Sequence, residues 1–176
     1  MNDILKYSRE ILRTTPLRWN ELAQDVSASL LELTPAPGEW SALDCLQHLV
    51  DAEHSVFPLR IRALLAGQDF ARFDPDSQGT PAHEHASAAA LAAEFATLRA
   101  DNLALFEPLS ESDLSRRARH QELGLVSLNE LVHEWAGHDL MHTVQAERAL
   151  MQPFIQGCGP WQSYFQDHVA RGKSAA

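Results

Sequence analysis

Apolar residues recur along this chain at three- and four-residue intervals, in four stretches separated by proline- and glycine-bearing breaks. The breaks fall at Thr34–Gly38, Gly67–Pro81, Pro108–Gly124 and Gly157–Pro160. The first stretch, residues 3–31, carries Ile4, Leu5, Ile11, Leu12, Trp19, Leu22, Ala23 and Val26. Pro16 lies inside it, as a kink or as the first residue of a second helix. The second opens at Ser41, an N-cap with Asp44 in the first turn where a carboxylate suits the helix dipole. It runs through Leu43, Leu46, Leu49, Val50, Phe57, Ile61, Leu64 and Leu65, and Pro58 is expected to bend it. The third carries Leu91, Phe95, Leu98, Leu105 and Phe106 and ends before Pro108. The fourth starts with the capping box Ser127–Glu130 and continues through Leu131, Trp135, Leu140, Val144 and Leu150 to a break at Pro153. Trp161–Val169 reads as a short helix or an ordered extension, and strand signals are almost absent.

Four long amphipathic segments predict an all-α fold: a four-helix bundle, with residues 1–176 as one domain and a short C-terminal helix or extension. The joints 67–86 and 107–127 are long for a bundle, so each is expected to be a crossover connection or a functional loop.

Composition narrows the function. The chain has 176 residues, 45% apolar and 22% charged, with a net charge of −10. That balance argues against a protein that grips a nucleic-acid backbone or an anionic membrane surface. Two cysteines, Cys45 and Cys158, make no disulfide framework, and a reducing compartment is expected. The start MNDILKYSRE has no apolar signal core, and no apolar run approaches a membrane span. A cytoplasmic location is the expectation.

Nine histidines are the unusual feature. His138 and His142 are four residues apart on the fourth helix, so their imidazoles stand one turn above the other. They share a stripe with Leu131, Trp135, Gln145 and Ala149 and are therefore expected to face inward. Two inward imidazoles need partners, either ordinary hydrogen bonds or one metal ion that satisfies both. Glu134 follows His133 and Asp139 follows His138, which is not the zincin motif. His48, among Leu46, Leu49 and Val50, offers a third ligand from the second helix. Three histidines with an open fourth position match a catalytic type of zinc or nickel site. Asp44 and Asp51, each about a turn from His48, are candidate orienters, and Asp51 and Asp139 candidate orienters or a base, or else these are solvated helix acids. Cys45 is either a fourth ligand or core filling, and Trp40 and Trp135 either pocket walls or core. His83 and His85 form an H-x-H in a polar loop. His54, His120, His133 and His168 read as surface or structural. The cluster Arg116-Arg117-Ala118-Arg119 reads as a solvated loop patch or a greeting point for an anionic substrate.

Three segments together resemble the DinB-like (DinB/YfiT-like) superfamily. PAPGEWSALDCLQHLVDAEHSVFPLRIRALLAG supplies Trp40, Ser41, His48, Leu49, Asp51, Glu53, Arg60 and Ile61. LRADNLALFEPLSESDL resembles the third helix and its following turn. LGLVSLNELVHEWAGHDLMHTVQAERAL supplies His138, Asp139, His142 and Gln145. The resemblance implies a four-helix bundle with a long crossover and a divalent-metal site, zinc or nickel with iron as a further option, on His48, His138 and His142. It also implies a metal-dependent transferase of the low-molecular-weight-thiol type, or a hydrolase, acting on a small electrophile. A homodimer and a small-molecule partner, such as a low-molecular-weight thiol, are expected, with no nucleic acid and no membrane. A non-enzymatic metal- or small-molecule-binding bundle is the alternative.

Overall fold

The computed structural model describes residues 3–80 and 86–172. Its elements are α1 (Ile4–Asp25), α2 (Ala28–Leu31), α3 (Ala42–Ser55), α4 (Phe57–Ala66), the single turn α5 (Pro75–Gln78), α6 (Ala88–Phe106), β1 (Arg117–His120), β2 (Gly124–Ser127) and α7 (Leu128–Gly157). A 3₁₀ coil, Gly159–His168, follows. Helices α1, α3, α6 and α7 form the four-helix bundle. Both α1 and α3 pack against α6 and α7, so α1 stands diagonal to α3, and α6 to α7.

The apolar core comes in two halves. One holds Leu12, Phe57, Ile61, Phe106, Val132 and Trp135; the other holds Trp19, Leu46, Leu49, Leu91, Phe95 and Ala146. Each fully buried leucine or phenylalanine contributes about 1.5–3 kcal/mol. The order of these residues gives each helix its direction. α1 and α7 run from the first half to the second, and α3 and α6 run the other way. α3 and α6 are therefore parallel neighbours. The joint between Ala66 and Ser87 must return the chain along the bundle, as a crossover. The joint 107–127 starts and ends at the first half, so it caps one end and crosses nothing.

That second joint also holds the strands that sequence pattern missed. β1 and β2 pair antiparallel, with Ala118 opposite Val126 and His120 opposite Gly124. The inward positions of β1 are Ala118 and His120, which give no apolar alternation to read. The tight loop needs Gly124 at φ 79°, a conformation that side chains disfavour.

Prolines act differently at three places. Pro58 does more than bend its helix: α3 stops at Ser55, Val56 is drawn to φ −116° and ψ −76°, and α4 begins at Phe57. Pro153 does not end α7, which continues to Gly157. Buried Leu150, Gln152 and Ile155 hold that last stretch, and Gln152 donates to the Arg148 carbonyl at 2.7 Å. Pro16 lies within an unbroken α1. It has no N–H to give the Leu12 carbonyl four residues back, and that carbonyl accepts instead from Arg99 Nη1 of α6 at 2.8 Å.

Candidate metal centre

A polar belt crosses the waist of the bundle between the two apolar halves, and its two sides differ. On the sealed side lies Arg99, only 1% exposed. Its Nη1 donates to Asp139 Oδ2 at 2.7 Å and its Nη2 to Asp139 Oδ1 at 2.9 Å. Nη2 also donates to Glu53 Oε1 at 2.9 Å. With the Leu12 carbonyl, this one side chain on α6 ties α7, α3 and α1 together. Asn102 donates to Glu53 Oε2 at 3.0 Å and Trp135 Nε1 to Glu53 Oε1 at 3.0 Å. Burial works to lower the Arg99 pKa, but Asp139 and Glu53 overcome it and hold the guanidinium firmly protonated. Of the three guanidinium nitrogens of Arg99, Nε lacks a partner.

The other side of the belt opens into a pocket of about 320 Å³. The structure brings His48 of α3 together with His138 and His142 of α7, with one ring nitrogen of each lying within 4.8 Å of the others. His48 Nε2 and His138 Nε2 are 3.0 Å apart. Two nitrogens on a tetrahedral ion stand roughly 3.3 Å apart, so the spacing fits a shared cation. Protonation states fit as well. Burial pushes His138 down to about 2 and His142 down to about 4, each further lowered by neighbouring imidazoles, and burial also lowers His48. All three rings are therefore neutral, the form that ligates. His142 Nδ1 donates to Gln145 Oε1 at 3.0 Å, which leaves Nε2 with a free lone pair. His138 Nδ1 is buried with no partner. Three neutral imidazoles with converging nitrogens and one orphaned ring atom suit a divalent ion better than one another.

Aromatic rings wall the site. Trp40 stacks on His142 at 5.6 Å and 20° and tilts against His48 at 5.0 Å. Phe73, from the crossover, approaches His48 at 6.5 Å, and Phe57 meets His138 edge-on at 5.2 Å. Trp40 is thus a pocket wall, whereas Trp135 is core, stacked on Phe57 at 5.0 Å and 8°.

The acids take other places than the sequence suggested. Asp139 neither orients a ligand nor acts as a solvated base, because it is committed to Arg99 on the opposite side of the helix. Asp51 secures the crossover: it accepts from Thr80 N at 2.8 Å, Thr80 Oγ1 at 2.7 Å and Gln47 Nε2 at 3.1 Å. Asp44 closes the capping box with Ser41. Cys45 is core filling among Leu46 and Leu49, and burial pushes its thiol up to about 12. His54 is exposed and bonded to Glu94 at 2.8 Å, and His133 to the Asn129 carbonyl at 2.8 Å. His83 and His85 lie outside the described residues. Arg116 pairs with Asp113 away from the site.

Two pocket residues stand outside the site expected from the sequence: Glu134, and Arg60, which the first resembling segment includes without a role. Glu134 sits four residues before His138, the one spacing that could have flagged it. Although its surface reaches solvent, desolvation of its carboxyl raises its pKa, with Arg60 opposing. Arg60 reaches the pocket only because the chain breaks at Val56 and re-aims α4.

The family model of the DinB superfamily matches residues 11–146. The chain belongs to the DinB superfamily. A solved structure in the same fold is YfiT from Bacillus subtilis, described as a probable metal-dependent hydrolase with an unusual four-helix bundle topology. It superposes with a TM-score of 0.75 over 88% of this chain and 89% of that one, at 16% identity. A search of curated proteins gave no match. Among the described residues of this DinB-superfamily chain, no helix is long and apolar enough to cross a membrane.

Proposed function

We propose that this chain is a divalent-metal-dependent enzyme acting on a small electrophile, with His48, His138 and His142 as ligands. Zinc or nickel is the expected ion, with iron as a further option. The observation that carries the reading is the convergence of three neutral imidazole nitrogens within 4.8 Å on the wall of a pocket. A divalent ion held there supplies a lowered pKa for a water or thiol, and polarises an electrophile.

The residues around it have separate tasks. Gln145 fixes the His142 tautomer. Trp40, Phe57 and Phe73 exclude bulk water and strengthen electrostatics inside the pocket. Glu134, its pKa already raised, can take a proton at its carboxylate and return it to a leaving group. Hydrolysis is the first reading, supported by the description given to YfiT and by a carboxylate on the pocket wall. Transfer of a low-molecular-weight thiol is the second, since thiolates are good ligands for these ions. A purely structural metal is poorly supported, because Arg99 already closes the waist without one.

The test is the metal content of tag-free protein prepared without chelator, beside His48→Ala and His142→Ala. Near-stoichiometric zinc, nickel or iron in the parent, lost in both variants while they stay folded, is the expected result. Protein that takes up no ion after reconstitution overturns the reading. Chromogenic esters, and pairs of electrophile and thiol, then separate hydrolysis from transfer.

A further inference from the structure

One arginine on the wall of the histidine pocket carries no ion pair among the described residues. Arg60 is half-buried, and burial lowers its pKa. No carboxylate among the described residues lies within ion-pair distance of it. Arg99, by contrast, has two. Arg60 Nη2 lies 3.4 Å from Nε2 of His120, a residue 5% exposed.

That contact cannot be a hydrogen bond. His120 Nδ1 accepts from the backbone N–H of Glu122 at 3.1 Å and of Leu123 at 3.2 Å. Nδ1 therefore carries no proton, and the neutral ring carries its proton on Nε2. Arg60 Nη2 has only donors, so two donors face each other, both needing an acceptor. Phe70 braces the pair, with the Arg60 guanidinium 5.8 Å from its ring centre and the His120 ring edge-on at 5.4 Å. The backbone fixes Phe70 in turn, since its N–H donates to the Arg119 carbonyl at 3.0 Å. His120 thus offers Arg60 no acceptor, and the guanidinium is left to pair with an oxyanion in the pocket whose wall it forms.

We infer that Arg60 binds a carboxylate of the substrate, so that the pocket takes a small carboxylic acid whose reactive end lies at the three histidines. The inference rests on the metal reading of the previous subsection and names its substrate class. A monoanion suits the site better than a phosphate dianion. Arg60 supplies one positive charge, and Glu134 on the same wall adds a negative field that reaches it. The volume of about 320 Å³ lies at the small end of ligand pockets.

The experiment is calorimetric titration of zinc-loaded protein with short ω-mercapto acids of increasing chain length, each beside its amide. The thiol anchors both probes equally at the metal, and only the acid can use Arg60. At the best chain length the acid binds about tenfold or more tighter than its amide. In Arg60→Gln that ratio falls to within about twofold while amide affinity stays, and Arg60→Lys keeps part of the preference. Glu134→Gln raises it. If no chain length favours the acid, or if the preference survives Arg60→Gln, the inference is overturned and the metal reading stands. Protein that holds no zinc fails the metal reading itself. The metal assay shows that before any thiol is added, and the inference falls with it.

Discussion

Two arginines at the waist of one bundle meet opposite fates. Arg99 is sealed in, bidentate to Asp139, bonded to Glu53 and the Leu12 carbonyl, and touches all four helices of the bundle. Arg60 faces a pocket, 3.4 Å from a histidine that is itself a donor. The same guanidinium chemistry is spent on architecture in one place and left open for a ligand in the other. The lesson is that burial alone does not separate a structural charge from a functional one. The ledger of partners does.

The largest effect should fall on the sealed side. Arg99→Leu leaves two buried carboxylates without their cation and should cost about 3–5 kcal/mol in urea unfolding, against less than about 1 kcal/mol for Arg60→Leu. Equal costs would erase the contrast between the two. Next comes the metal. Zinc at a hundredfold over its dissociation constant should stabilise the parent by about 2.7 kcal/mol and raise its Tm, with no such gain in His48→Ala or His142→Ala.

A smaller effect follows from pH, in metal-free protein. His138 and His142 titrate lower in the fold than the ordinary 6.5, at about 2 and about 4. The unfolded chain therefore binds more protons below 6.5. Stability is full above that pH and is lost as pH falls through 6.5 toward 4, by about 2 kcal/mol per imidazole between pH 7 and pH 5. Saturating zinc should raise the stability at each pH but leave the onset near 6.5, which the unfolded imidazoles set. Urea midpoints across the range read both. The smallest effect concerns the crossover. A Cβ on Gly79 would sit 2.5 Å from the Pro75 carbonyl oxygen and 3.2 Å from Asp51 Oδ2. Gly79→Ala should cost about 1–2 kcal/mol and weaken ligand binding, by shifting the segment that carries Phe73 over the histidines.

Much of this was legible in the sequence, for physical reasons that differ by residue. Helix starts at Ser41 and Ser127 announced themselves through caps, and His48, His138 and His142 through helical spacing on inward faces. The sealed cluster was also written there, though unread. Arg99 and Asn102 interrupt the apolar stripe of Phe95 and Phe106, and Glu53 and Asp139 do the same on their helices. A polar residue at mid-height on several stripes is the trace of a buried belt. The place of Arg60 on the pocket wall was not legible, because it depends on the break at Val56. The hairpin that carries His120 was missed too, since its strands are too short and too polar to show a period. Pro153 misled, because packing of Leu150 and Ile155 outweighs one missing N–H.

Pro16 has a consequence for how the chain folds. Alone, residues 4–25 would hold two helical pieces on either side of the proline, each at or below the ~12–15 residues at which isolated helices become marginal. The join between them is completed only when Arg99 arrives from a helix more than eighty positions later in the chain, with its charge neutralised by two further helices. α1 is therefore finished by tertiary contact, not before it. The two apolar halves could otherwise melt separately at the polar waist. The shared guanidinium makes them one cooperative unit, so the histidines sit at the last place in the molecule to come apart.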